Sequence, residues 1–493
     1  MRERTGMAPF PPPPCTPHTP NLMNTTLPLR SLLPLLAAVA LAVAATTTTT
    51  GCDSLLDTEP SQSISEERAL SSPQNVEAAL SGAYNALSNA DLYGGQIFMN
   101  ADLMADNGEV FWDGTYEQPA QFWNKNLFVN NAFVADEWNE AYETINIANN
   151  VLSALDQFED EERRTRVEGE ARFLRGLMYF ELVRLFAKPY DAVDPSAALG
   201  VPIVLEPTRS ISDEDNVERA SMDVVYEQVT ADLEAAREQL GSSANKYVAD
   251  TYVASAVLSR VHLTRDEYEA AARAADRVIA SGDFSLMETF AGAFNNGSAV
   301  AEYVFAVPIT TQDGVNELNT FYGSGSQSDP NGGRGDISIT DEHVALYGDG
   351  DARGNFFYID ESDGDARRTS KWKGDESTGA DIPVIRLAEM YLTRAEGNFR
   401  AGTEIGAAPI ADINRIRDRA GADSLDASNL TAERIFEERK LELMFEGHLL
   451  HDLQRTERSV GSIPYDANAL LYPIPQREMD ANPSLTQNPG YGS

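Results

Sequence analysis

The chain is 493 residues long, and its 77 acidic side chains against 38 basic ones give a formal net charge of −39. This charge argues against a nucleic-acid partner and against docking on anionic lipid through a basic patch, since both surfaces are negative. Hydrophobic residues make up 42% of the sequence, which excludes wholesale disorder. Abundant acids, many arginines and few lysines fit a protein exposed to high salt, where screening weakens the repulsion between carboxylates. An ordinary acidic extracytoplasmic protein is the alternative.

The first 51 residues have the pattern of a targeting sequence. Arg30 precedes an apolar run, Leu32–Ala45, which is shorter than the roughly 20 residues of a membrane-spanning helix. A small residue and then Cys52 follow, an order that looks like a bacterial lipoprotein signal in which the cysteine is lipidated. We therefore predict a signal peptide and pre-sequence over 1–51, a lipid anchor at Cys52 and an extended tether over 52–64. A secretory signal with an unlipidated Cys52 is the alternative.

Apolar side chains recur every three to four residues along most of the remaining chain, which predicts amphipathic helices. Pro189 ends the third of these helices, Pro409 opens the eighth and Gly421 stops it. The fifth and sixth are joined by a very short turn and mix Ala with large apolar residues, a composition typical of tetratricopeptide-like helix pairs. The predicted helices cover 75–89, 134–156, 160–187, 218–240, 250–263, 265–281, 384–401, 409–420 and 431–449. We therefore predict an all-α fold of tetratricopeptide-like helix pairs with long loop-rich insertions.

Two regions lack helical periodicity. Residues 91–133 carry Gly, Asn, Asp and several aromatic residues, and residues 306–380 are rich in Gly, Asp and Ser. We predict that neither region is helical and that the second forms long surface loops, preceded by a short strand at Tyr303–Val307. Loops of this length in compact proteins are usually functional.

The aromatic side chains of the first loop region are the candidate binding site. Aromatic planes pack against the C–H faces of sugar rings, while Asn and Asp side chains can hydrogen-bond the hydroxyl groups. The segments FWDGTY (111–116) and QFWN (121–124) supply such rings, and residues of the other half of the chain are expected to face the same site. The predicted ligand-binding residues are Trp112, Tyr116, Trp123, Asn124, Asn100, Trp372 and Tyr322. The alternative is that some of these rings fill a small core under the loops.

Other polar clusters are interpreted as structural. Glu389 and Glu396 lie on one helix face and could suggest the paired carboxylates of a glycosidase, but apolar residues share that face. His448 and His451 have no third metal ligand in view, so helix-end packing is favoured over zinc. An acidic run around Arg353 partly mimics a calcium loop, but the arginine occupies a ligand position. We therefore predict no catalytic residue, metal or cofactor.

Several sequence blocks, in order along the chain, resemble the RagB/SusD family of outer-membrane nutrient-binding lipoproteins. The N-terminal half contributes CDSLLDTEP (52–60), AALSGAYNAL (78–87), WNEAYETINIANNVL (138–152) and GEARFLRGLMYFELVRLFA (169–187). The C-terminal half contributes PVIRLAEMYLTRAEGNFRAG (383–402), INRIRDRAGA (413–422), ERKLELMFEGH (438–448), DLQR (452–455) and the tail 471–491. Leu449 departs from the family pattern, in which Arg more often follows Glu-Gly-His. The resemblance covers essentially the whole chain after the signal and divides it into an N-terminal helical region, 65–300, and a C-terminal region, 301–493.

The resemblance implies an all-α scaffold and a non-enzymatic lipoprotein on the extracellular face of the outer membrane, held there by its lipid anchor only. It implies capture of a nutrient, most often an oligosaccharide. It also implies a partner, a TonB-dependent β-barrel transporter of the SusC type, over which the lipoprotein sits as a lid. The alternatives are a surface hydrolase and a tetratricopeptide scaffold that binds peptides in a helical groove.

Overall fold

The computed structural model of the protein describes residues 70–209, 216–310, 316–325, 332–373 and 380–492, which belong to the unit Ser65–Ser493. The predicted signal peptide, the lipidation site Cys52 and the tether lie outside the described residues. The α-helices are α1 Pro73–Leu87, α2 Gln96–Ala105, α3 Glu117–Trp123, α4 Ala132–Ser153, α5 Glu161–Phe186, α6 Met222–Gln239, α7 Thr251–Thr264, α8 Tyr268–Ser281, α9 Glu317–Tyr322, α10 Asp341–Val344, α11 Leu387–Ala401, α12 Pro409–Ala420, α13 Ala432–Leu443, α14 Leu449–Arg455 and α15 Gln476–Ala481. The strands are β1 Val110–Trp112, β2 Leu199–Pro202, β3 Arg219–Ser221, β4 Tyr303–Val307, β5 Ile337–Ile339, β6 Phe357–Asp360, β7 Ala366–Thr369 and β8 Ile382–Arg386. None of the helices described here combines the length and the apolar character needed to cross a membrane.

Successive long helices pack side by side through the middle of the chain. Contacts join α4 to α5, α5 to α6, α6 to α7 and α7 to α8, and the series continues from α8 to α11 and from α11 to α12. The buried face of α8 consists of Ala271, Ala272, Ala275 and Val278, and such small side chains allow neighbouring helices to approach closely. The predicted all-α architecture of tetratricopeptide-like pairs is confirmed, and the strands of the described residues form short two-stranded antiparallel sheets.

The helix ends follow local rules that the sequence shows. Asp160 caps α5, because its Oδ1 accepts hydrogen bonds from the N–H groups of Glu162 and Arg163 at 3.0 and 3.2 Å. As predicted, α12 begins at Pro409 and ends before Gly421, which adopts the left-handed conformation at φ 72°. The predicted strand Tyr303–Val307 is β4.

The structure differs from the predicted helices in several places. The region 306–380, predicted to lack helices, contains the short helices α9 and α10. The region 91–133, predicted to be free of helices, contains α2 and α3. Every residue of α2 is buried, so this helix has no polar face from which helical periodicity could be detected. The predicted helix 431–449 ends at Leu443, because Phe445 and Gly447 adopt left-handed conformations, at φ 64° and 73°, before α14 begins.

A buried cluster of charges joins the loop-rich part of the chain to the C-terminal helices. Arg386, at the end of β8, contacts Glu302 at 2.7 Å, Glu442 at 3.1 Å and Glu446 at 2.8 Å. The members of this ion cluster, all nearly inaccessible to solvent, are Glu302, Asp351, Arg353, Lys371, Arg386, Arg419, Glu438, Glu442 and Glu446. Buried charges are tolerated only when they are paired, so these contacts fix the loop region against α12 and α13.

The C-terminal segment, residues 485–492, returns to the N-terminal half of the unit. Asn488 Nδ2 donates hydrogen bonds to the carbonyl oxygens of Phe186, at 2.8 Å, and Tyr472, at 2.7 Å. Arg219 Nη1 donates to Asn488 Oδ1 at 2.8 Å. This segment therefore ties the end of α5 to β3.

Candidate functional site

The exposed aromatic side chains lie close together in the sequence. Phe111, Tyr116 and Phe128 are 50%, 44% and 46% exposed, and every other aromatic side chain of the described residues is more buried. We refer to residues 111–128 as the aromatic segment. Because exposed aromatic side chains often mark a binding site and here fall within one short stretch of chain, this segment is the candidate functional site.

The outward direction of Phe111 follows from the pleat of β1. This strand pairs antiparallel with β5, with Phe111 opposite Ser338. Since successive side chains of a strand point to opposite faces, Val110 and Trp112 are buried and Phe111 is exposed between them. The ring of Phe111 meets the half-buried ring of Trp123 edge to face, with centroids 5.4 Å apart. We refer to these two rings as the Phe111–Trp123 pair.

Asp106 holds this pair in place from the preceding turn. Its Oδ1 accepts hydrogen bonds from the N–H groups of residues 108–110 at 2.9–3.0 Å, and its Oδ2 accepts one from Trp123 Nε1 at 2.9 Å. Lys125 Nζ donates to the carbonyl oxygens of Asp106 and Trp123, both at 2.8 Å. The turn and the indole ring are therefore fixed relative to each other, which reduces the ordering cost of binding a ligand.

Tyr116 is positioned by different neighbours. The guanidinium carbon of Arg334 lies 4.0 Å from the centroid of the Tyr116 ring, and Arg334 Nε donates to Asp336 Oδ2 at 2.6 Å. The turn before Tyr116 requires glycine at Gly114, because a Cβ there would lie 2.4 Å from the Trp112 ring and 2.7 Å from Asp336. This stack of Arg334 on Tyr116 places a positive charge beside an exposed ring.

Two of the tryptophans predicted to bind ligand are buried. Trp112 is 5% exposed and packs on Phe321, with ring centroids 6.1 Å apart. Trp372 is 2% exposed, and its Nε1 donates to the carbonyl oxygen of Phe445 at 2.8 Å. A ring enclosed in the core cannot stack on a sugar, so the prediction is wrong for both residues. They fill the core beneath the loops, as the alternative proposed.

Asn100 and Tyr322 were also predicted wrongly, since both are fully buried. Asn100 Nδ2 donates to Glu137, and the Tyr322 hydroxyl donates to Asp102 Oδ2 at 3.1 Å. Burial raises the pKa of Asp102 to about 8, against the lowering effect of the hydrogen bonds from Tyr322 and from the Gly447 N–H. Each of these side chains therefore has a buried partner, although Asn100 Oδ1 and Glu137 Oε2 accept no hydrogen bond from the described residues.

Tyr116, Trp123 and Asn124 reach the surface, and their contact with a ligand stays a prediction. Asn124 is exposed at the end of α3, where its Nδ2 donates to the carbonyl oxygen of Ala120 at 2.8 Å. Sequence reasoning did not select Phe111 or Phe128. Strand alternation would have separated Phe111 from Trp112 if β1 had been recognised, whereas nothing in the sequence NLFVN (126–130) singles out Phe128.

The carboxylates considered for catalysis are paired with arginines. Arg260 Nε donates to Glu389 at 2.7 Å, and the two terminal nitrogens of Arg455 donate to the two oxygens of Glu396, both at 2.7 Å. Although burial raises the pKa of Glu396, Arg455 and Arg439 together bring it below its ordinary value. A general acid for glycoside hydrolysis needs a raised pKa, so Glu396 has the opposite electrostatic environment.

The residues considered for metal binding have other partners. Burial lowers the pKa values of His448 and His451 well below the ordinary value, so both imidazoles are neutral at pH 7. Arg353 donates to Asp351 through Nε at 2.9 Å and to Glu438 through Nη1 at 2.7 Å, in place of any calcium ion. Within the part of the chain that the structure describes, no group of three or more His, Cys, Asp or Glu side chains is placed to hold a metal ion.

Two family models match the chain in order. The model of the SusD-like group described as "starch-binding associating with outer membrane" matches residues 54–263, and the SusD family model matches residues 358–465. These matches cover both the long helices α4 to α7 and the helices α11 to α13.

Individual proteins give the same result. The chain is 26% identical to SusD-like protein P2 of Formosa agariphila over an alignment of 514 positions, which covers 90% of this chain and 97% of that protein. It is 32% identical to the starch-binding protein SusD of Bacteroides thetaiotaomicron over 144 positions, which cover 24% of this chain and 25% of that protein. The crystal structure of a SusD superfamily protein from Bacteroides thetaiotaomicron matches with a TM-score of 0.77 and 25% identity, over 85% of this chain and 100% of that one. With its sequence blocks, its helical fold and both family matches in agreement, the chain belongs to the SusD/RagB family.

Proposed function

We propose that this protein is a non-enzymatic lipoprotein of the outer-membrane surface that captures an oligosaccharide and passes it to a TonB-dependent transporter of the SusC type. The description of the matching family model and the name of the Bacteroides thetaiotaomicron relative both refer to starch binding, which supports a glycan as the class of ligand. The pairing of Glu389 and Glu396 with arginines supports binding rather than hydrolysis.

The observation that carries the proposal is the concentration of exposed rings in the aromatic segment. The Phe111–Trp123 pair offers two rings at an interplanar angle of 77°, held by Asp106 and Lys125. Sugar C–H faces can pack on such rings while hydroxyl groups bond to neighbouring polar side chains such as Asn124. Because the rings are already in place, binding orders few side chains, and an open surface allows the ligand to leave again.

Trp123→Ala should weaken oligosaccharide binding by up to roughly tenfold. An aromatic contact contributes about 0.5–1.5 kcal/mol beyond the area it buries, and 1.4 kcal/mol corresponds to about a tenfold change in Kd. The measurement is titration calorimetry with maltohexaose, cellohexaose, xylohexaose and mannohexaose, comparing the variant with the wild type on the hexamer that the wild type binds best.

Phe436→Ala is the matched control, because Phe436 is a partly buried ring under the guanidinium of Arg458, with Cζ 4.1 Å from the ring centroid, and lies outside the aromatic segment. This variant should bind as the wild type does. If Trp123→Ala also binds as tightly as the wild type, the Phe111–Trp123 pair is not the binding site.

We infer membrane attachment through a lipid on Cys52. Cys52→Ser should move the protein from the membrane pellet to the soluble fraction of the native cell, because the serine at position 52 lacks the thiol to which the lipid is attached. The measurement is fractionation followed by immunoblotting, with mass spectrometry of the N-terminal peptide. Retention of Cys52→Ser in the pellet would rule out this anchor.

A further inference from the structure

We infer that a second carbohydrate-binding groove adjoins the aromatic segment and holds the distal units of a longer, neutral oligosaccharide. The inference rests on the proposed function and extends it. The C-terminal groove has a volume of about 770 Å³, within the range of roughly 300–1,000 Å³ typical of small-ligand sites. One of its walls is residues 125–130, and the other consists of Asn468, Ala469, Gln476 and residues 490–492.

The two walls of the C-terminal groove are fixed to each other. The Gln476 N–H donates to the carbonyl oxygen of Val129 at 2.8 Å, which joins one wall to the other. Lys188 Nζ donates to Asn468 Oδ1 at 2.6 Å. Gly490 has φ 97°, and a Cβ there would lie 2.9 Å from the Asn468 Cβ, so glycine permits the close approach of these two segments. The groove is therefore formed before any ligand binds.

The side chains that line the groove have the chemistry that sugars require. Phe128 is 46% exposed, and the partly exposed ring of Tyr491 is fixed by a hydrogen bond from its hydroxyl to the carbonyl oxygen of Leu471 at 2.6 Å. The groove also contains four amide side chains, which can both donate to and accept from sugar hydroxyl groups. They belong to Asn126, Asn130, Asn468 and Gln476. Rings for the C–H faces and amides for the hydroxyl groups are thus present together.

The charge of the groove favours a neutral ligand. None of the described residues that line the groove has a carboxylate side chain, although the chain carries a net charge of −39. The one cationic side chain among them, Lys125, already donates to two carbonyl oxygens at 2.8 Å and lies 3.9 Å from an Asp106 oxygen. The positive charge of Lys125 is therefore already engaged and would attract an anionic sugar only weakly. The acidic protein as a whole would also repel such a sugar.

Lys125 belongs to both the groove and the aromatic segment. Its Nζ lies 2.8 Å from the Trp123 carbonyl oxygen, and the residue also lines the groove. One oligosaccharide can therefore leave the Phe111–Trp123 pair and continue past Lys125 towards Phe128. Two sites on one ligand act together, so the C-terminal groove should contribute affinity only to chains long enough to reach it.

Phe128→Ala tests this inference by its dependence on ligand length. We expect roughly tenfold weaker binding of the hexamer that the wild type prefers among maltohexaose, cellohexaose, xylohexaose and mannohexaose, and a change of less than about twofold for the trimer of the same sugar. Phe128→Tyr keeps the ring face and should bind both lengths as the wild type does. Val224→Ala is the matched control, because Val224 is also 46% exposed but lies on α6, outside the walls of the groove.

The outcomes separate this inference from the proposed function. If Trp123→Ala weakens binding but Phe128→Ala leaves the hexamer unaffected, the C-terminal groove is not a sugar site and the proposed function stands. Equal losses on trimer and hexamer in Phe128→Ala would overturn the distal placement. Tighter binding of hexagalacturonate than of every neutral hexamer would overturn the assignment to neutral sugars. If the wild type binds no oligosaccharide, the proposed function and this inference both fail.

Discussion

Glu442→Gln should lower the free energy of unfolding by about 3–5 kcal/mol, the effect typical of removing one partner from a buried ion pair. Glu442 is fully buried in the ion cluster, where its carboxylate lies 3.1 Å from Arg386 and 3.4 Å from Arg353 and also bonds Arg419. Glutamine keeps the shape of the side chain but removes its charge, and its amide turns N–H donors towards arginines that need an acceptor. The measurement is urea denaturation followed by tryptophan fluorescence.

Glu437→Gln, on the same helix, is the matched control. Glu437 pairs with Arg434 at 2.8 Å, but both side chains are largely exposed, and such pairs contribute about 0.2–1 kcal/mol. If Glu442→Gln unfolds at the same urea concentration as Glu437→Gln, the ion cluster does not hold the loop region in place.

The same carboxylate makes the cluster sensitive to acid. Burial raises the pKa of Glu442, but Arg419, Arg386 and Arg353 bring it down to about 2. A group with a lowered pKa in the folded state stabilises the protein above its unfolded pKa, and this stabilisation is lost as the pH falls towards the folded value. The difference in stability between the wild type and Glu442→Gln should therefore shrink between about pH 4.5 and pH 2.

Asp102→Asn should give the second large effect, a gain in stability at high pH relative to the wild type. Burial raises the pKa of Asp102 to about 8, whereas in the unfolded chain the group ionises near pH 3.8. Between these values the unfolded state binds fewer protons than the folded state, so the wild type loses stability as the pH rises. Asparagine does not ionise in this pH range, so the variant does not have this loss of stability. The stability of the variant relative to the wild type should rise by up to about 4 kcal/mol from pH 5 to pH 8.

The measurement is urea denaturation of both proteins at several pH values, and the quantity of interest is the difference between them. In the wild type the Gly447 N–H donates to Asp102 Oδ1 at 3.1 Å, and the side-chain oxygen of asparagine can accept the same hydrogen bond. The asparagine N–H₂ group can donate to the Tyr322 hydroxyl, which contacts Asp102 Oδ2 in the wild type. Asp349→Asn, at an exposed carboxylate, is the control and should show no such trend. A constant difference between wild type and Asp102→Asn across this pH range would mean that Asp102 is ionised in the fold.

The long helices were predictable from the sequence because each has one buried and one solvent-facing side. The same reasoning failed for α2, in which Asn100 and Asp102 face the core along with the apolar residues. Their polar character suggested a surface position, but each bonds inside the protein to a partner distant in sequence, Asn100 to Glu137 and Asp102 to Tyr322. A single sequence contains no sign of such pairing.

The segment that carries the candidate site was predictable from the sequence, but not all of its exposed residues were. Sequence composition located the rings between 111 and 124, and Tyr116, Trp123 and Asn124 do reach the surface. Whether Phe111 or Trp112 faces outward depends on the pleat of β1. This strand forms only by pairing with β5, more than 200 residues further along the chain. A three-residue strand with so distant a partner leaves no periodicity to detect.

The contacts of the C-terminal segment bear on how this protein is made. Asn488 donates to the carbonyl groups of Phe186 and Tyr472 and accepts a hydrogen bond from Arg219, so these groups lack their native partner until residue 488 has been synthesised. Docking of residues 485–492 therefore follows the synthesis of the helices that they contact. Until then those helices expose surface that chaperones and proteases can reach, and loss of residues 485–492 should yield a protein that is degraded rather than one that merely lacks this segment.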